Sequence, residues 1–438
     1  MNSVPRLSSL LILVVLATVT YIPALQLPFI DDDYGEIPVA GSYFSTGWAP
    51  LWQNPNLRAR TTNMVLDGAL DRIFGFTPVP FYVVSILVHA LCTLLVYAFS
   101  IWTGIVDRPT AFWAACFFAV FEGHQEAVMW ISARNESLVF LFGMAAWVCW
   151  VKYLRDRSAL WYSLAIGAII LAAASKESFV IFPVLMLLPS IWPPPATSRR
   201  QAFISVIPFF TVIAAYLVWT WLGRIAQPQY DDNRFSIWAP WPLVILKSWW
   251  RMMFVWGLAA VAIVAWIGRP SDRRNAWIAS AWMLLAIFPY SFLTYMPQIA
   301  SRHTYIASAG LALLIGVAAA RLLETNRGVV LGIASFAVLA MNWQIIWVKK
   351  MSQFRERAEP AVLLREAARE ATGPITVRCI PFPDFMTEGV LATSGSHAVF
   401  PQPVTYEDHC FKVEYQNSAG AHVRIDRRIR TAKHGAFY

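Results

Sequence analysis

Stretches of about 20 apolar residues recur along most of this chain, each long enough to cross the roughly 30 Å hydrocarbon core of a bilayer. They fall at about 7–28, 79–103, 110–121, 137–151, 158–174, 178–192, 202–222, 242–267, 276–296, 304–320 and 328–348. Inside lipid every backbone N–H and C=O must be paired within the protein, so such runs become helices. The expectation is an all-α polytopic membrane protein of about 11 transmembrane helices. Composition agrees: 58% of the 438 residues are hydrophobic and 14% charged, against about 25% charged in a soluble domain. An ordinary soluble enzyme is excluded.

The net charge of +9 suggests nucleic acid until the charges are placed on the chain, where they mostly read as topology. With the amino terminus inside, the inner segments carry 12 basic residues (Arg6, Arg108, Lys152, Arg155, Arg157, Arg199, Arg200, Arg269, Arg273, Arg274, Arg321 and Arg327) and 4 acidic ones. The outer segments carry 8 basic residues (Arg58, Arg60, Arg72, Arg134, Lys176, Arg224, Arg234 and Arg302) and 12 acidic ones. That bias orients the amino terminus to the cytoplasm, and no nucleic-acid partner is expected. The leucine-rich run after Arg6 resembles a signal peptide, yet it is long and lacks a clear small-x-small end, so it reads as the first span.

An odd span count leaves the tail outside the membrane. Residues 1–348 form the transmembrane domain, and 349–438 a small soluble, β-rich extracytoplasmic domain. The tail opens with a charged helix at about 350–371, interrupted at Pro360. Alternation then suggests strands at Ile375 to Ile380, Phe411 to Tyr415 and Val423 to Ile429. Cys379 and Cys410 lie in this tail, where an oxidising compartment would let them pair, although spacing alone does not establish the geometry. Cys92, Cys116 and Cys149 lie in spans as small buried hydrophobes. No internal repeat of 20–50 residues is visible.

Several charges sit where a membrane protein ordinarily avoids them. Asp31, Asp32 and Asp33 follow the first span directly, and crowded carboxylates raise one another's pKa toward that of a usable base. A solvated acidic flank is the bland alternative. The long outer loop at about 30–78 has tryptophans and then helical apolar spacing, which suggests interfacial helices lying over the aspartates. Polar groups run through the otherwise apolar Glu122–Glu136 string, including His124, Glu126 and Arg134. His124 and Glu126 are metal ligands by type, but without a third partner hydrogen bonding or phosphate contact is preferred. Ser175-Lys176-Glu177 is wedged between two spans, Arg302 and His303 stand at the outer end of another, and Lys247 and Arg251 share a helical face. Cations and carboxylates gathered at one outer depth ask for an anionic, lipid-anchored phosphate.

The sequence at this point resembles the polytopic glycosyltransferases of the C superfold (GT-C), and within it bacterial relatives of the transmembrane and tetratricopeptide O-mannosyltransferases. The resemblance covers about residues 20–320. Phe29, Asp32 and Asp33 match the family's Phe-x-x-Asp-Asp, with Asp31 an extra acid, and Arg60 matches its downstream arginine. Leu87-Val88-His89-Ala90-Leu91 resembles its second span. His124 through Arg134 is similar to His-x-Glu-Ala-Val-x-Trp-Ile-Ser-x-Arg, Ser175 to Glu177 matches Ser-Lys-Glu, and Arg302-His303-Thr304-Tyr305 resembles Arg-Tyr-x-Tyr. The chain departs from the family in having Ser301 before the late arginine, where an acid is usual, and in lacking tetratricopeptide repeats.

The resemblance implies transfer of a sugar from a polyprenyl-phosphate donor to an acceptor hydroxyl, on a protein or on a glycan or lipid, at the extracytoplasmic face of a bacterial inner membrane. In an inverting displacement one carboxylate deprotonates the acceptor while cations hold the departing phosphate. Asp32 is the expected base, then Asp33, then Asp31. Arg134, Lys176, Arg302 and Arg60 are the expected phosphate contacts, with His124, Glu126, Glu177, His303 and Tyr305 supporting or on the acceptor side. No metal site is expected, although the carboxylates have the chemistry to hold a divalent cation. A transporter or flippase of a lipid-linked or anionic substrate is the alternative; it predicts related halves, which are not seen. A noncatalytic assembly factor would leave the aspartates dispensable.

Overall fold

The computed structural model describes residues 7–54, 58–104, 106–188, 198–226, 236, 238–293, 299–381, 384–400, 405–406 and 410–429. Arg6, Arg234 and the span ends 189–192 and 294–296 lie outside the described residues. The chain is a multi-pass helical membrane protein with a small C-terminal sheet. Among the described residues, six helical stretches are long and apolar enough to cross a membrane, against the eleven spans expected: Leu7–Gln26, Pro78–Thr103, Ile131–Asp156, Arg199–Leu222, Ser301–Glu324 and Gly328–Glu370. Shorter helices at Arg108–Val120, Ala159–Ala173 and Pro270–Ile287 complete the bundle.

Local chemistry sets where these helices begin and end. Pro78 opens its helix, where a missing N–H costs nothing, and Gly104 closes it in the left-handed conformation at φ +69°. The next helix starts on Asp107, whose carboxylate accepts the Thr110 N–H at 2.9 Å. Ser301–Glu324 is the most enclosed stretch. It is lined with small residues that admit close neighbours, and a Cβ on Gly316 would collide with the Thr110 carbonyl of the adjoining helix.

The apolar run at 242–267 does not form one straight span. Trp241–Met253 and Trp256–Ile267 meet at a bend of 76°, and the break falls on Val255, whose φ of +67° is strained for a β-branched residue. The first arm buries Val244, Ser248 and Met252 and exposes Leu246 and Trp250.

The tail also differs from expectation. The last span and the charged helix are one continuous stretch, Gly328–Glu370, 43 residues long, with a π-helical segment at Ile345–Lys350. Pro360 sits inside Met351–Glu370 without ending it. This helix therefore rises out of the apolar bundle and brings its charged half to the loop after the first span, where Arg357 meets Asp31.

Beyond it, β1 (Ile375–Ile380), β2 (Ala398–Val399), β3 (Thr405–Tyr406), β4 (Cys410–Gln416) and β5 (His422–Arg428) form one sheet. β4 pairs antiparallel with β1 and β5, while β2 and β3 pair parallel with β1. Cys379 and Cys410 form a disulfide that ties β1 to β4, with their Cα atoms 5.7 Å apart. A helix at Asp384–Ala392 packs on the outer-loop helix Asp33–Thr46. A Cβ on Gly389 would stand 2.7 Å from the Tyr34 carbonyl, so glycine permits the approach.

Candidate functional site

The loop after the first helix folds into helices at Asp33–Thr46, Ala49–Gln53 and Thr61–Phe74. The three aspartates stand at the entry to the first of these, and each has a different environment. Asp33 is fully buried. Its carboxylate accepts the Ile30 N–H at 2.9 Å on one oxygen, and the Ser132 N–H at 2.9 Å and Oγ–H at 2.8 Å on the other. Burial pushes its pKa up to about 8, against the pull of these donors. Asp31, at φ +45°, accepts from Arg357 Nε, and burial raises its pKa despite that cation. Asp32 caps the helix with its backbone carbonyl, which accepts the Glu36 N–H at 2.8 Å. Its half-buried carboxylate has no partner among the described residues. It lies in the field of the Arg60–Glu36 pair, whose N–O distance is 2.7 Å.

Arg134 has no exposure. Its guanidinium donates to Asn63 Oδ1 at 3.1 Å, to the Phe81 carbonyl at 3.2 Å, to Ser85 Oγ at 3.4 Å and to Asp67. It thus clamps the turn before its own span to the loop helix Thr61–Phe74 and to the second span. Asp67 was not foreseen. The signal was there in Asn63 and Asp67, four apart on one helical face and joined at 2.7 Å.

Glu136, also unforeseen as a site residue, is a buried hub. It accepts Lys176 Nζ at 2.8 Å, His303 Nδ1–H at 2.6 Å, Ser178 Oγ–H at 3.1 Å and the Tyr290 hydroxyl at 2.8 Å. Its neighbourhood joins four separate parts of the chain. Glu177 is exposed and acts on Arg60, while Thr62 N–H reaches the Ala174 carbonyl at 3.0 Å, stitching the Ser-Lys-Glu turn to the outer loop.

Arg302 is 16% exposed and donates to Glu126 from its guanidinium at 3.3 Å and its backbone at 3.0 Å. Its guanidinium carbon lies 5.2 Å from the Trp130 ring centroid, and that of Arg357 lies 3.9 Å from the same centroid. His124 is buried against Ser308 Oγ at 2.6 Å and among the rings of Phe118, Phe121 and Tyr305. Burial holds its pKa well below the usual value, which keeps the imidazole neutral. Tyr305 is buried and hydrogen-bonded to His89 Nδ1 at 2.7 Å. Arg251 donates to the Ile299 carbonyl at 2.7 Å, and Lys247 is exposed.

One short segment therefore joins most of the site. Glu126 holds Arg302, Trp130 carries Arg302 and Arg357, Ser132 holds Asp33, Arg134 holds Asp67, and Glu136 holds Lys176 and His303. Among the described residues no group of three or more His, Cys, Asp or Glu side chains is placed to hold a metal ion. An apolar recess of about 410 Å³ lies elsewhere, between Phe112, Ile263, Ile315 and Val338.

No protein-family model matches the chain, and no curated protein matches it by sequence. Solved structures do match. The apo crystal structure of ArnT from Cupriavidus metallidurans superposes with a TM-score of 0.55 at 14% identity, over 90% of this chain and 86% of that one. The same protein bound to undecaprenyl phosphate gives 0.54 at 14% identity, over 91% and 87%. This chain has the GT-C fold. The Archaeoglobus fulgidus oligosaccharyltransferase reaches a TM-score of 0.48 at 12% identity, over 82% of this chain and 55% of its own. Within the GT-C fold, the contact that lay furthest from sequence reasoning is Arg357 on Asp31, because it comes from the C-terminal helix, beyond the segment that carries the motifs.

Proposed function

We propose that this protein is an integral-membrane glycosyltransferase that moves a sugar from a polyprenyl-phosphate donor to an acceptor hydroxyl on the extracytoplasmic face of a bacterial inner membrane. The observation that carries this reading is the division of labour among the three aspartates. Asp33 is engaged by Ile30 and Ser132 and Asp31 by Arg357, while the half-buried Asp32 carboxylate has no partner among the described residues.

Asp32 is then the base. It takes the proton of the acceptor hydroxyl as the oxygen attacks the anomeric carbon and the bond to the donor phosphate breaks, with inversion. Arg302, Lys176 and Arg60 stabilise the negative charge on the departing polyprenyl phosphate. Arg134, with its guanidinium donating to Asp67, Asn63, Ser85 and the Phe81 carbonyl, acts by holding the loops in register. Glu126 orients Arg302, and Glu177 supports Arg60 through its charge. His124 and Tyr305 set the floor behind them. Support comes from the fold and from undecaprenyl phosphate as the ligand named for one ArnT structure. The acceptor is a protein Ser or Thr, or a glycan or lipid hydroxyl.

The test is transfer by the purified full-length protein, given labelled polyprenyl-phosphate sugars and candidate acceptors. Asp32→Asn should lose roughly 100-fold or more in kcat, the scale of a general base. Lys176→Ala should raise the donor KM. Retained transfer in Asp32→Asn removes the base assignment, and no transfer from any lipid donor favours a transporter. Repeating the assay with a chelator decides whether a divalent cation takes part.

A further inference from the structure

His303 stands one residue after Arg302 in the helical turn Ser301–Thr304. Its ring stacks on Tyr290, with centroids 4.5 Å apart and planes 22° from parallel. Nδ1 lies 2.6 Å from Glu136 Oε1, the same oxygen that receives Lys176 Nζ at 2.8 Å. A carboxylate paired with a lysine offers only lone pairs, so Nδ1 must carry the proton and donate it. In the neutral ring Nε2 is then a bare acceptor. That atom is buried and has no hydrogen-bond partner among the described residues, a costly condition that native proteins seldom leave unanswered.

An orphaned acceptor calls for an O–H or N–H donor. A phosphate oxygen, rich in lone pairs itself, would be repelled, whereas a sugar hydroxyl fits. The placement narrows which hydroxyl. Lys176 and His303 share one carboxylate oxygen, which sets their side chains beside each other.

We infer that His303, oriented by Glu136, accepts a hydrogen bond at Nε2 from a hydroxyl of the donor's sugar, next to the phosphate held by Lys176. This rests on the glycosyl-transfer reading above and names a specificity-determining residue within it. Deleting Nε2 should weaken recognition of the sugar and leave recognition of the lipid phosphate alone.

His303→Asn places an amide N–H near the position of Nδ1, preserving the donation to Glu136 while removing Nε2. His303→Gln returns an acceptor to the Nε2 position. The full-length protein in nanodiscs is assayed with undecaprenyl-phosphate mannose, glucose and arabinose, with undecaprenyl phosphate lacking a sugar as the control ligand, and melting temperatures establish that the variants fold. Expected for His303→Asn is a rise of about tenfold or more in the KM for whichever sugar donor the wild type uses. Slow donor hydrolysis without acceptor should weaken equally, affinity for undecaprenyl phosphate should stay within about twofold, and His303→Gln should recover part of the loss. An unchanged donor KM overturns the inference and leaves His303 a packing residue. Equal loss of undecaprenyl phosphate affinity would make it a phosphate contact, and loss of transfer with hydrolysis intact would put the hydroxyl on the acceptor; either result overturns it. If the wild type uses no donor, the transfer reading itself falls, a different outcome from all of these.

Discussion

Ser132 donates to Asp33 twice, from its backbone N–H at 2.9 Å and its hydroxyl at 2.8 Å, both onto one carboxylate oxygen and across 99 positions of chain. The loop that leaves the first span is thereby fastened to the turn that begins the third apolar stretch. Asp32, one residue earlier, takes its position from that anchorage. Ser132→Ala keeps the N–H contact and loses the hydroxyl, so it should cost about 1 kcal/mol, read as a lower midpoint of thermal inactivation. Donor KM should change less than kcat, because the affected group is the proposed base and not the phosphate contacts.

The burial of Asp33 also makes stability depend on pH. Its pKa rises from 3.8 to about 8 in the folded protein, so the folded state holds the proton more tightly than the unfolded one. Stability from this group is fully present below 3.8 and is lost as pH rises through about 8. The melting temperature should fall between pH 5 and pH 8, and Asp33→Asn should flatten that slope. An equal slope in the variant would assign it to other groups.

Arg134 and Arg302 are expected to fail in different ways. Arg134 is wholly enclosed and paired with Asp67, and removing one partner of a buried pair strands the other at a cost of about 3–5 kcal/mol. Arg134→Ala should express poorly or melt early, and adding Asp67→Ala should recover part of the loss. Arg302→Ala leaves Glu126 the backbone N–H of position 302 at 3.0 Å, so it should melt closer to the wild type than Arg134→Ala does and bind undecaprenyl phosphate more weakly. If Arg134→Ala is stable and only donor binding suffers, Arg134 is a phosphate contact after all.

The disulfide closes a loop with a sequence separation of 31, which by chain entropy stabilises the C-terminal domain by about 3–4 kcal/mol. Cys379→Ser or mild reduction should raise hydrogen exchange in β1 and β4 while leaving the spans protected. Arg357 gives the domain a second tie, to Asp31 and Trp130. Arg357→Ala should therefore raise exchange in Met351–Glu370 more than in the sheet.

Much of this protein was legible as local pattern. The expected apolar runs fall mainly on helix where they are described, because lipid leaves backbone groups no partner but their own helix. Strands appeared at Ile375–Ile380, Cys410–Gln416 and His422–Arg428, where alternation had placed them. Charges out of keeping with lipid marked the candidate site, as in Lys176 and Arg302, which the fold places on Glu136 and Glu126. Two backbone features escaped: the bend at Val255, inside an unbroken apolar run, and the passage of the last helix through Pro360.

What tertiary structure alone decided is which charges are already spent. Asp31, Asp32 and Asp33 are identical in type and adjacent in sequence, yet one meets Arg357, one meets Ser132, and the carboxylate between them has no described partner. Arg134 and Arg302 both looked like phosphate ligands, but Asp67 and its neighbours enclose the first while the second stays partly open. Periodicity reports on neighbours within a few residues. The role of a buried charge is set by partners whose distance along the chain carries no signal, so only the folded protein could separate the aspartate without a described partner from the two that are engaged.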